Sequence, residues 1–459
     1  MILFSKENLL KVLLSFNCLG MFLSYLYSYT TIFDNFEHIR ASYFVSLGYL
    51  PYKDFFEHHH PMLWYVWSLV FKVLDENAVV MFYLAKAFAL MLYCFTGRII
   101  YKIIITFLGG RDLSLIFFLI VTSFFPIWYG VSLFKPDCVA VFFYFCALYL
   151  FFRYIELRQR KYLLSSFLLL SFAFLFLQTM VFNIFPLVFV MVCLFYNDGV
   201  FWRDISWSVL GCLFVLSLGG LFLYKNDILL TYIEQNWFFN LKLFSFVHEG
   251  ASSLIWNWLY LIVLAFICAV ILLKKEKNPY WMTIVFLFGC EVVRCFVIKV
   301  VYSHYLIMLL LFSGLLIAKV ITMYNDKKVI RGVYFICFFN IVVNFVVLYL
   351  FNNVSLMKVF AEVNKKADCL VLNAPLKIYG PKISYYDLIA GNFSLLDDCM
   401  FHRLPNYNVN KLQEQYNFDY IFASKFGEKA LSCDVNRFIL DSKYSSFYEK
   451  ISDNLYKRI

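Results

Sequence analysis

Long apolar runs alternate with short polar segments along most of the chain. Many runs approach roughly 20 residues, about the length of helix that crosses a hydrocarbon layer of ~30 Å. The pattern therefore predicts an α-helical polytopic membrane protein. Eleven spans are expected, at residues 9–29, 78–97, 113–128, 138–152, 162–177, 181–196, 206–223, 253–273, 280–297, 304–323 and 330–351. Because the first run has no small-residue cleavage site, it is predicted to be an uncleaved anchor.

Two polar connections are long enough to carry structure of their own. The first covers residues 30–61 and is followed at 62–74 by "MLWYVWSLVFKVL", which is too short to span comfortably and rich in Trp and Tyr. This stretch predicts an interfacial helix that Pro61 opens. The second connection, residues 224–252, mixes aromatic residues with isolated charges and predicts a helix on the bilayer surface.

The composition becomes polar at residue 352. Residues 1–351 are therefore predicted to form the transmembrane domain, and residues 352–459 a small C-terminal α/β domain. "ADCLVLN" and "FDYIFAS" have the pattern of buried strands, and "NVNKLQEQY" that of a helix between them. One disulfide would suit an oxidising compartment, but the sequence does not choose a pairing among Cys369, Cys399 and Cys433.

Composition and charge support the membrane assignment and add an orientation. The chain is 63% hydrophobic and 15% charged, with a mean hydropathy of +0.73, which excludes an ordinary soluble domain. Basic residues concentrate in alternate connections, so the N-terminus is predicted to be cytoplasmic and everything after 352 to lie outside. The net charge of +10 reflects topology and predicts no nucleic-acid partner. The basic residues of the predicted cytoplasmic side are Lys6, Lys11, Arg98, Lys102, Arg111, Arg153, Arg158, Arg160, Lys161, Arg203, Lys274, Lys275, Lys277, Lys327, Lys328 and Arg331.

Polar chemistry gathers on the predicted outer side. If histidines only sought water, they would occur on both faces, yet the predicted cytoplasmic connections have none. A solvated loop explains any one of the outer acids, but it explains the cluster of acids poorly. The outer histidines are His38, His58, His59, His60, His248, His304 and His402, and the outer acids are Asp34, Glu37, Asp54, Glu57 and Asp137.

Two motifs carry a resemblance to a known family. "FDNFEHIRASYFVSLGYLPYKDFFEHHHPMLWY" resembles the first periplasmic loop of GT-C glycosyltransferases, in the branch of protein O-mannosyltransferases and lipid A aminoarabinose transferases. "FKPDCVAVFFYF" resembles the Arg-Pro-Asp motif at the outer end of that family's fourth span. The first match covers about thirty residues, and the span count and outer tail agree with the architecture of the family.

The resemblance implies transfer of a sugar from a polyprenyl phosphate to an acceptor hydroxyl, with inversion, at the periplasmic face of a bacterial inner membrane. The acceptor would be a glycan, a lipid or a protein. Such a reaction needs a carboxylate base and cations on the departing phosphate. The implied roles are the base for Asp34, orientation for Glu37 and Asp137, phosphate binding for His58, His59, Lys135, Arg294 and His304, and a substrate loop for Tyr52, Asp54 and Glu57.

The sequence departs from the family pattern at several positions. Asn35 replaces a second acid, which argues against a metal-binding acidic pair. No cofactor is predicted, a divalent metal remains an open alternative, and the lipid-phosphate sugar is the donor substrate. His60 replaces a proline, and Thr179 stands where a lysine is common. Glu291 lies three residues before Arg294, so an ion pair on one helix face is the alternative role for this arginine.

Other functional classes remain as alternatives. A transporter would place ionisable groups near the midplane of two related halves, and no internal repeat is visible here. A polymerase or ligase of lipid-linked glycans would share the membrane setting, and a catalytically inactive GT-C-like protein would explain Asn35. The sequence identifies neither the sugar nor the acceptor.

Overall fold

The structure is a computed structural model of the protein, and it describes residues 6–27, 32–53, 57–74, 78–131, 133–238, 240–241, 251–297, 303–350, 369–372, 420–423, 448–452 and 455–458. Up to residue 350 the described chain is almost entirely helical. Its α-helices, in chain order, are α1 Lys6–Tyr27, α2 Ile32–Ser46, α3 Met62–Phe71, α4 Ala78–Ile103, α5 Arg111–Thr122, α6 Phe125–Gly130, α7 Pro136–Leu157, α8 Arg160–Phe176, α9 Val181–Phe195, α10 Gly199–Lys225, α11 Leu229–Tyr232, α12 Ala251–Lys275, α13 Pro279–Val297, α14 Ile307–Tyr324 and α15 Lys327–Leu350. Short π-helices and 3₁₀-helices adjoin them, at Ile104–Leu108 and Ile233–Phe238 and at Gln178–Met180 and Ser303–Leu306.

Nine helical segments of the described chain are long and apolar enough to cross a membrane. The prediction of an α-helical polytopic membrane protein is therefore confirmed at this level. Each of the nine corresponds to a predicted span. The segments are Asn8–Leu26, Val80–Leu108, Pro136–Leu157, Gln178–Phe195, Gly199–Lys225, Trp258–Lys275, Pro279–Phe296, Ile307–Tyr324 and Lys327–Tyr349. The predicted spans 113–128 and 162–177 correspond to shorter helices.

The predicted span 113–128 is a helix broken in two. Helix α5 ends at Thr122, and α6 begins at Phe125. Pro126 explains the break, because it has no N–H to donate to the carbonyl four residues earlier and its ring would collide with that carbonyl. That carbonyl belongs to Thr122, the last residue of α5.

The carbonyls freed at this break are paired by side chains. The indole N–H of Trp128 donates to the carbonyl of Thr122 at 2.6 Å. The amide of Asn344 on α15 donates to the carbonyl of Ser123 at 2.9 Å. The interruption therefore leaves neither of these two groups unsatisfied in the bundle.

The predicted span 162–177 is one arm of a helical hairpin. Helix α8 has 17 residues, about 26 Å at 1.5 Å per residue. Two residues, Arg158 and Gln159, connect it to α7, and the left-handed backbone of Arg158 (φ +54°) reverses the chain. The hydroxyl of Ser166 donates to the carbonyl of Ala147 at 2.9 Å, so α8 runs back along α7.

Helices α5 and α6 together follow α14 along most of its length. A methyl group added at Gly314 of α14 would lie 2.3 Å from Cγ2 of Val121. One added at Gly130 of α6 would lie 2.6 Å from Cδ1 of Ile307, at the start of α14. Glycine is required at these two contacts because the facing side chains lie where a Cβ atom would be.

Helix α2 is the main departure from the predicted first connection. Residues 30–61 were expected to form a loop, but 15 of them, Ile32–Ser46, are helical. Helix α2 packs on α3, where the ring centroids of Tyr43 and Phe71 lie 5.4 Å apart. The expected interfacial helix is confirmed as a helix, with Pro61 at its N-cap position.

Four short strands form one sheet in the C-terminal region, in the order β1-β2-β4-β3. The pair β1–β2 is parallel, whereas β4 is antiparallel to both β2 and β3. Strands β1 and β2 confirm the two predicted strands. The predicted helix at 408–416, Cys399 and Cys433 lie outside the described residues. The bounds are β1 Cys369–Leu372, β2 Tyr420–Ala423, β3 Tyr448–Ser452 and β4 Leu455–Arg458.

The chain divides into two compact units. The second unit gathers the first connection and α3 with part of the second connection and the C-terminal region. The first unit is Met1–Ser28, Lys86–Asp227 and Trp237–Asn352, and the second is Tyr29–Ala85, Ile228–Asn236 and Asn353–Ile459.

Gly314→Ala should lower the free energy of unfolding of the first unit by about 1–3 kcal/mol, because the added methyl overpacks the contact with α5. Gly220→Ala on α10 is the matched control, since nothing lies within 4 Å of its added methyl. The measurement is unfolding of the detergent-solubilised protein by heat or by titration with a denaturing detergent. Equal losses of stability in both variants would contradict the close packing of α5 on α14.

Candidate functional site

A glycine cap ends α2 and starts the connection from α2 to α3, residues 47–61, which carries the site and is called the turn below. Gly48 has a φ of +93°, and its N–H donates to the carbonyl of Val45 at 3.1 Å. The N–H of Tyr49 donates to the carbonyl of Phe44 at 3.0 Å, and the two rings lie 5.7 Å apart. This is the Schellman arrangement with its usual apolar contact, and it fixes the direction in which the chain leaves the helix.

Tyr52 holds the next part of the turn. Its φ of +68° is in the left-handed region, which costs a bulky residue of the order of 1–3 kcal/mol and persists only when neighbours fix it. The side chain is buried, and its hydroxyl donates to the carbonyl of His59. Burial, with lesser contributions from Tyr232 and Glu57, raises the pKa of Tyr52 well above its usual range, so the hydroxyl stays a donor.

His38 joins α2 to α3 and to the turn. The indole N–H of Trp64 on α3 donates to Nδ1 of His38 at 3.1 Å. Neutral His38 therefore carries its proton on Nε2. The His38 ring lies 4.8 Å from that of His59, edge to face, and His38 is fully buried.

Glu57, His58 and His59 form the centre of the site, named here the Glu57–His59 cluster. Their potential ligand atoms all lie within 4.8 Å of one another. Nδ1 of His59 lies 3.6 Å from Oε2 of Glu57, and the rings of His58 and His59 are 3.9 Å apart. Zinc bonds of ~2.0–2.1 Å in a tetrahedron put ligand atoms roughly 3.4 Å apart, so these three atoms would have to move closer together to hold one divalent cation. With protonated imidazoles the cluster instead offers N–H donors to a phosphate.

The segment from Ile228 to Asn236 contacts this turn directly. The amide of Gln235 accepts from the N–H of Glu57 and donates to the carbonyl of Tyr52, both at 3.2 Å. The hydroxyl of Tyr232 lies 2.9 Å from Nε2 of His60. The helix predicted in the second connection is confirmed as a helix at Leu229–Tyr232 and Ile233–Phe238, and this part of the connection belongs to the site.

The first unit holds Lys135 and Asp137 at the start of α7. Lys135 is extended at the N-cap position, Pro136 occupies the first turn, and Asp137 follows it. Lys135 is buried and Asp137 is half-buried. The positive end of the helix dipole and Lys135 together favour negative charge at this point.

Arg294 lies in a second polar group of the first unit. Its guanidinium donates from Nε at 2.9 Å to Oε2 of Glu291, which also lies 2.8 Å from a terminal guanidinium nitrogen. Arg294 also donates to the carbonyl of Tyr305 at 2.7 Å, and Asn183 of α9 donates to the other oxygen of Glu291. The ion pair on one helix face, one of the two roles expected for Arg294, is present.

The structure describes the predicted site residues unevenly. Asp34 and Glu37 belong to α2, and His304 belongs to the 3₁₀-helix before α14. The side chains of these three residues are outside the described part of the chain, and Asp54 is outside it altogether. The cluster with Tyr52 lies in the second unit. Lys135, Asp137 and Arg294 lie in the first.

Sequence reasoning missed four residues around the Glu57–His59 cluster: His38, Trp64, Tyr232 and Gln235. His38 was counted among the outer histidines without a role. The other three make contacts across long stretches of chain, and no local pattern marks them. Asn183 was also missed, although an amide within an apolar span is itself a signal.

No protein-family model matches the sequence, and no curated protein matches it. The resemblance to GT-C glycosyltransferases therefore depends on the two motifs alone.

Arg294→Ala should lower the free energy of unfolding by about 3–5 kcal/mol, because it leaves the carboxylate of Glu291 buried without its cation. The double variant Glu291→Gln/Arg294→Met removes both charges and keeps an acceptor for Asn183, so most of that stability should return. Unfolding in detergent measures both variants. A double variant as unstable as the single one would contradict the ion-pair account, and activity of a stable double variant would show that Arg294 is not needed to bind phosphate.

Proposed function

We propose that this chain is a GT-C-type glycosyltransferase of a bacterial inner membrane, which moves a sugar from a polyprenyl phosphate to an acceptor hydroxyl. Transfer occurs by inverting single displacement at the periplasmic face. The partners are the lipid-linked sugar and an acceptor that is a glycan, a lipid or a protein. The membrane supplies the donor, because its polyprenyl tail lies in the bilayer.

One observation carries the proposal. The two ends of the first motif, about twenty residues apart in sequence, pack together: His38 from α2 contacts His59, which belongs to the Glu57–His59 cluster. A solvated loop gives no reason for a fully buried histidine at this place, whereas a binding site needs side chains fixed by packing. Described residues from both ends of the first motif, His38 and the Glu57–His59 cluster, therefore pack together within the second unit.

Asp34 is the proposed base. It lies in α2 four residues before His38, which is about one helical turn. A carboxylate at this position takes the proton from the acceptor hydroxyl as the oxygen attacks the anomeric carbon, and the bond from that carbon to the phosphate oxygen breaks. Glu37, one turn from Asp34, and Asp137 are proposed to orient the sugar or the acceptor.

Cations stabilise the departing phosphate. His58 and His59 offer imidazole N–H groups, and Lys135 offers a buried ammonium at the start of α7. His304 is retained with them as a phosphate ligand. Arg294 is a weaker candidate than the sequence suggested, because Glu291 and the carbonyl of Tyr305 already engage its guanidinium.

The proposed domain arrangement keeps eleven crossings. Helix α8 returns along α7, and the broken pair α5–α6 follows α14, which supports counting each of these shorter segments as a crossing. With a cytoplasmic N-terminus, eleven crossings place α2, Lys135 and residues 352–459 on the periplasmic side. Residues 1–351 are the catalytic membrane domain, and residues 352–459 form the periplasmic α/β domain.

Asp34→Asn should reduce sugar transfer by about 10²-fold to 10⁴-fold, because the amide keeps the shape of the side chain but cannot accept the proton. The assay follows labelled sugar leaving its polyprenyl phosphate in membranes that contain the protein, with donor binding measured in parallel. Glu234→Gln is the matched control, since Glu234 is exposed and makes the same change from carboxylate to amide.

Donor binding should survive in Asp34→Asn. Full turnover of this variant would transfer the role of base to Glu37 or Asp137, and loss of donor binding would instead assign Asp34 to holding the donor. No transfer by the wild-type protein would overturn the proposed function.

A further inference from the structure

Gln235 joins two points of the turn that carries the Glu57–His59 cluster. Its Oε1 accepts from the N–H of Glu57, and its Nε2 donates to the carbonyl of Tyr52, each at 3.2 Å. The residue comes from the π-helix Ile233–Phe238, nearly 180 positions further along the chain. One side-chain amide therefore holds the backbone both at Tyr52 and at Glu57.

Tyr232 supports the same turn from three residues earlier. Its hydroxyl lies 2.9 Å from Nε2 of His60, and its ring meets that of Tyr52 edge to face at 5.3 Å. Tyr232 and Gln235 belong to the same short helical segment, and both contact the chain between Tyr52 and His60. Glu57 and His60, the two ends of the Glu-His-His-His sequence, are thereby both held.

The left-handed backbone of Tyr52 makes this support necessary. A tyrosine at φ +68° needs neighbours that exclude its ordinary conformations. The carbonyl of Tyr52 is held by Gln235, its hydroxyl by the carbonyl of His59, and its ring by Tyr232. If the bond from Gln235 is lost, the backbone at Tyr52 can relax, and the Tyr52 hydroxyl that donates to the carbonyl of His59 moves with it.

The amide is the chemical group that this position requires. Glutamine accepts and donates from neighbouring atoms of one planar group, whereas glutamate only accepts. A carboxylate here would face the carbonyl of Tyr52 without a proton and would bring a second negative charge towards Glu57.

We propose that Gln235 is a positioning residue for the Glu57–His59 cluster and that Tyr232 assists it through His60. The proposal rests on the proposed function, because that function assigns binding of the donor phosphate to the cluster. Gln235 acts through the backbone of Glu57 and Tyr52 and contacts no reacting atom. The two hydrogen bonds from Gln235 are called the clamp below. Because a displacement of about 1 Å in a positioned group can cost about 10²-fold in rate, loss of the clamp is expected to lower kcat.

Amide hydrogen exchange measures the clamp without any assay of transfer. In Gln235→Ala the N–H of Glu57 loses its acceptor, and its exchange should accelerate about fivefold to tenfold, the change expected for one net hydrogen bond. The amides of the surrounding turn should accelerate with it, while those of α7 should not change. Glu234→Ala, an exposed neighbour in the same segment, is the matched control and should leave the turn unchanged.

Two further variants separate positioning from folding. Gln235→Glu keeps an acceptor for Glu57 but no donor for Tyr52, so the exchange rate at Glu57 should stay closer to the wild-type value than in Gln235→Ala. Tyr232→Phe keeps the ring and removes the bond to the imidazole of His60. The side chain then no longer fixes this residue, so the backbone amide of His60 should exchange faster. In transfer assays Gln235→Ala should lower kcat by at least about tenfold, and Gln235→Glu should recover part of the loss.

Unchanged exchange at Glu57 in Gln235→Ala would overturn the proposal, whatever the activity. Faster exchange throughout the second unit in both Gln235 variants would also overturn it, because it would show a general role in folding. If the wild-type protein transfers no sugar, the proposed function fails, and exchange at Glu57 still decides whether the clamp exists.

Discussion

A polar backbone group inside a bilayer must find its partner within the protein, because hydrocarbon offers none. The membrane domain meets this condition where its helices are interrupted. The carbonyl of Ser123, freed at the break between α5 and α6, accepts from Asn344, and that of Leu108, at the end of the π-helix after α4, accepts from the indole of Trp281 at 3.0 Å. A Trp or Asn in an apolar span thus permits a broken helix there.

The same constraint governs charge. Glu291 and Arg294 are paired with each other, and each takes a further hydrogen bond, because an isolated charge in this setting would be expensive. Chemistry that needs several ionisable groups in exchange with water is easier to build outside the spans. The Glu57–His59 cluster groups three ionisable side chains outside the nine apolar segments, in the second unit with its support from Gln235.

Sequence reasoning succeeded where a local pattern has one physical cause. Apolar length located nine spans, and short apolar runs bounded by polar residues located β1 and β2. It missed the break in α5–α6, since both pieces are equally apolar, although Pro126 is a readable signal. It took α2 for loop, because fifteen residues with mixed polarity show no clear apolar face. The pairing of Glu57 with Gln235 has no local signal, because contacts between distant segments follow from the fold alone.

The central claim is that sugar leaves a polyprenyl phosphate on this protein. Its most direct test adds polyprenyl phosphate carrying labelled sugar to sealed membrane vesicles that contain both the protein and its native acceptors. The account predicts that label passes to an acceptor and that free polyprenyl phosphate accumulates, in proportion to the protein present. Label that crosses the vesicle membrane while still attached to its lipid would indicate a transporter and contradict the account.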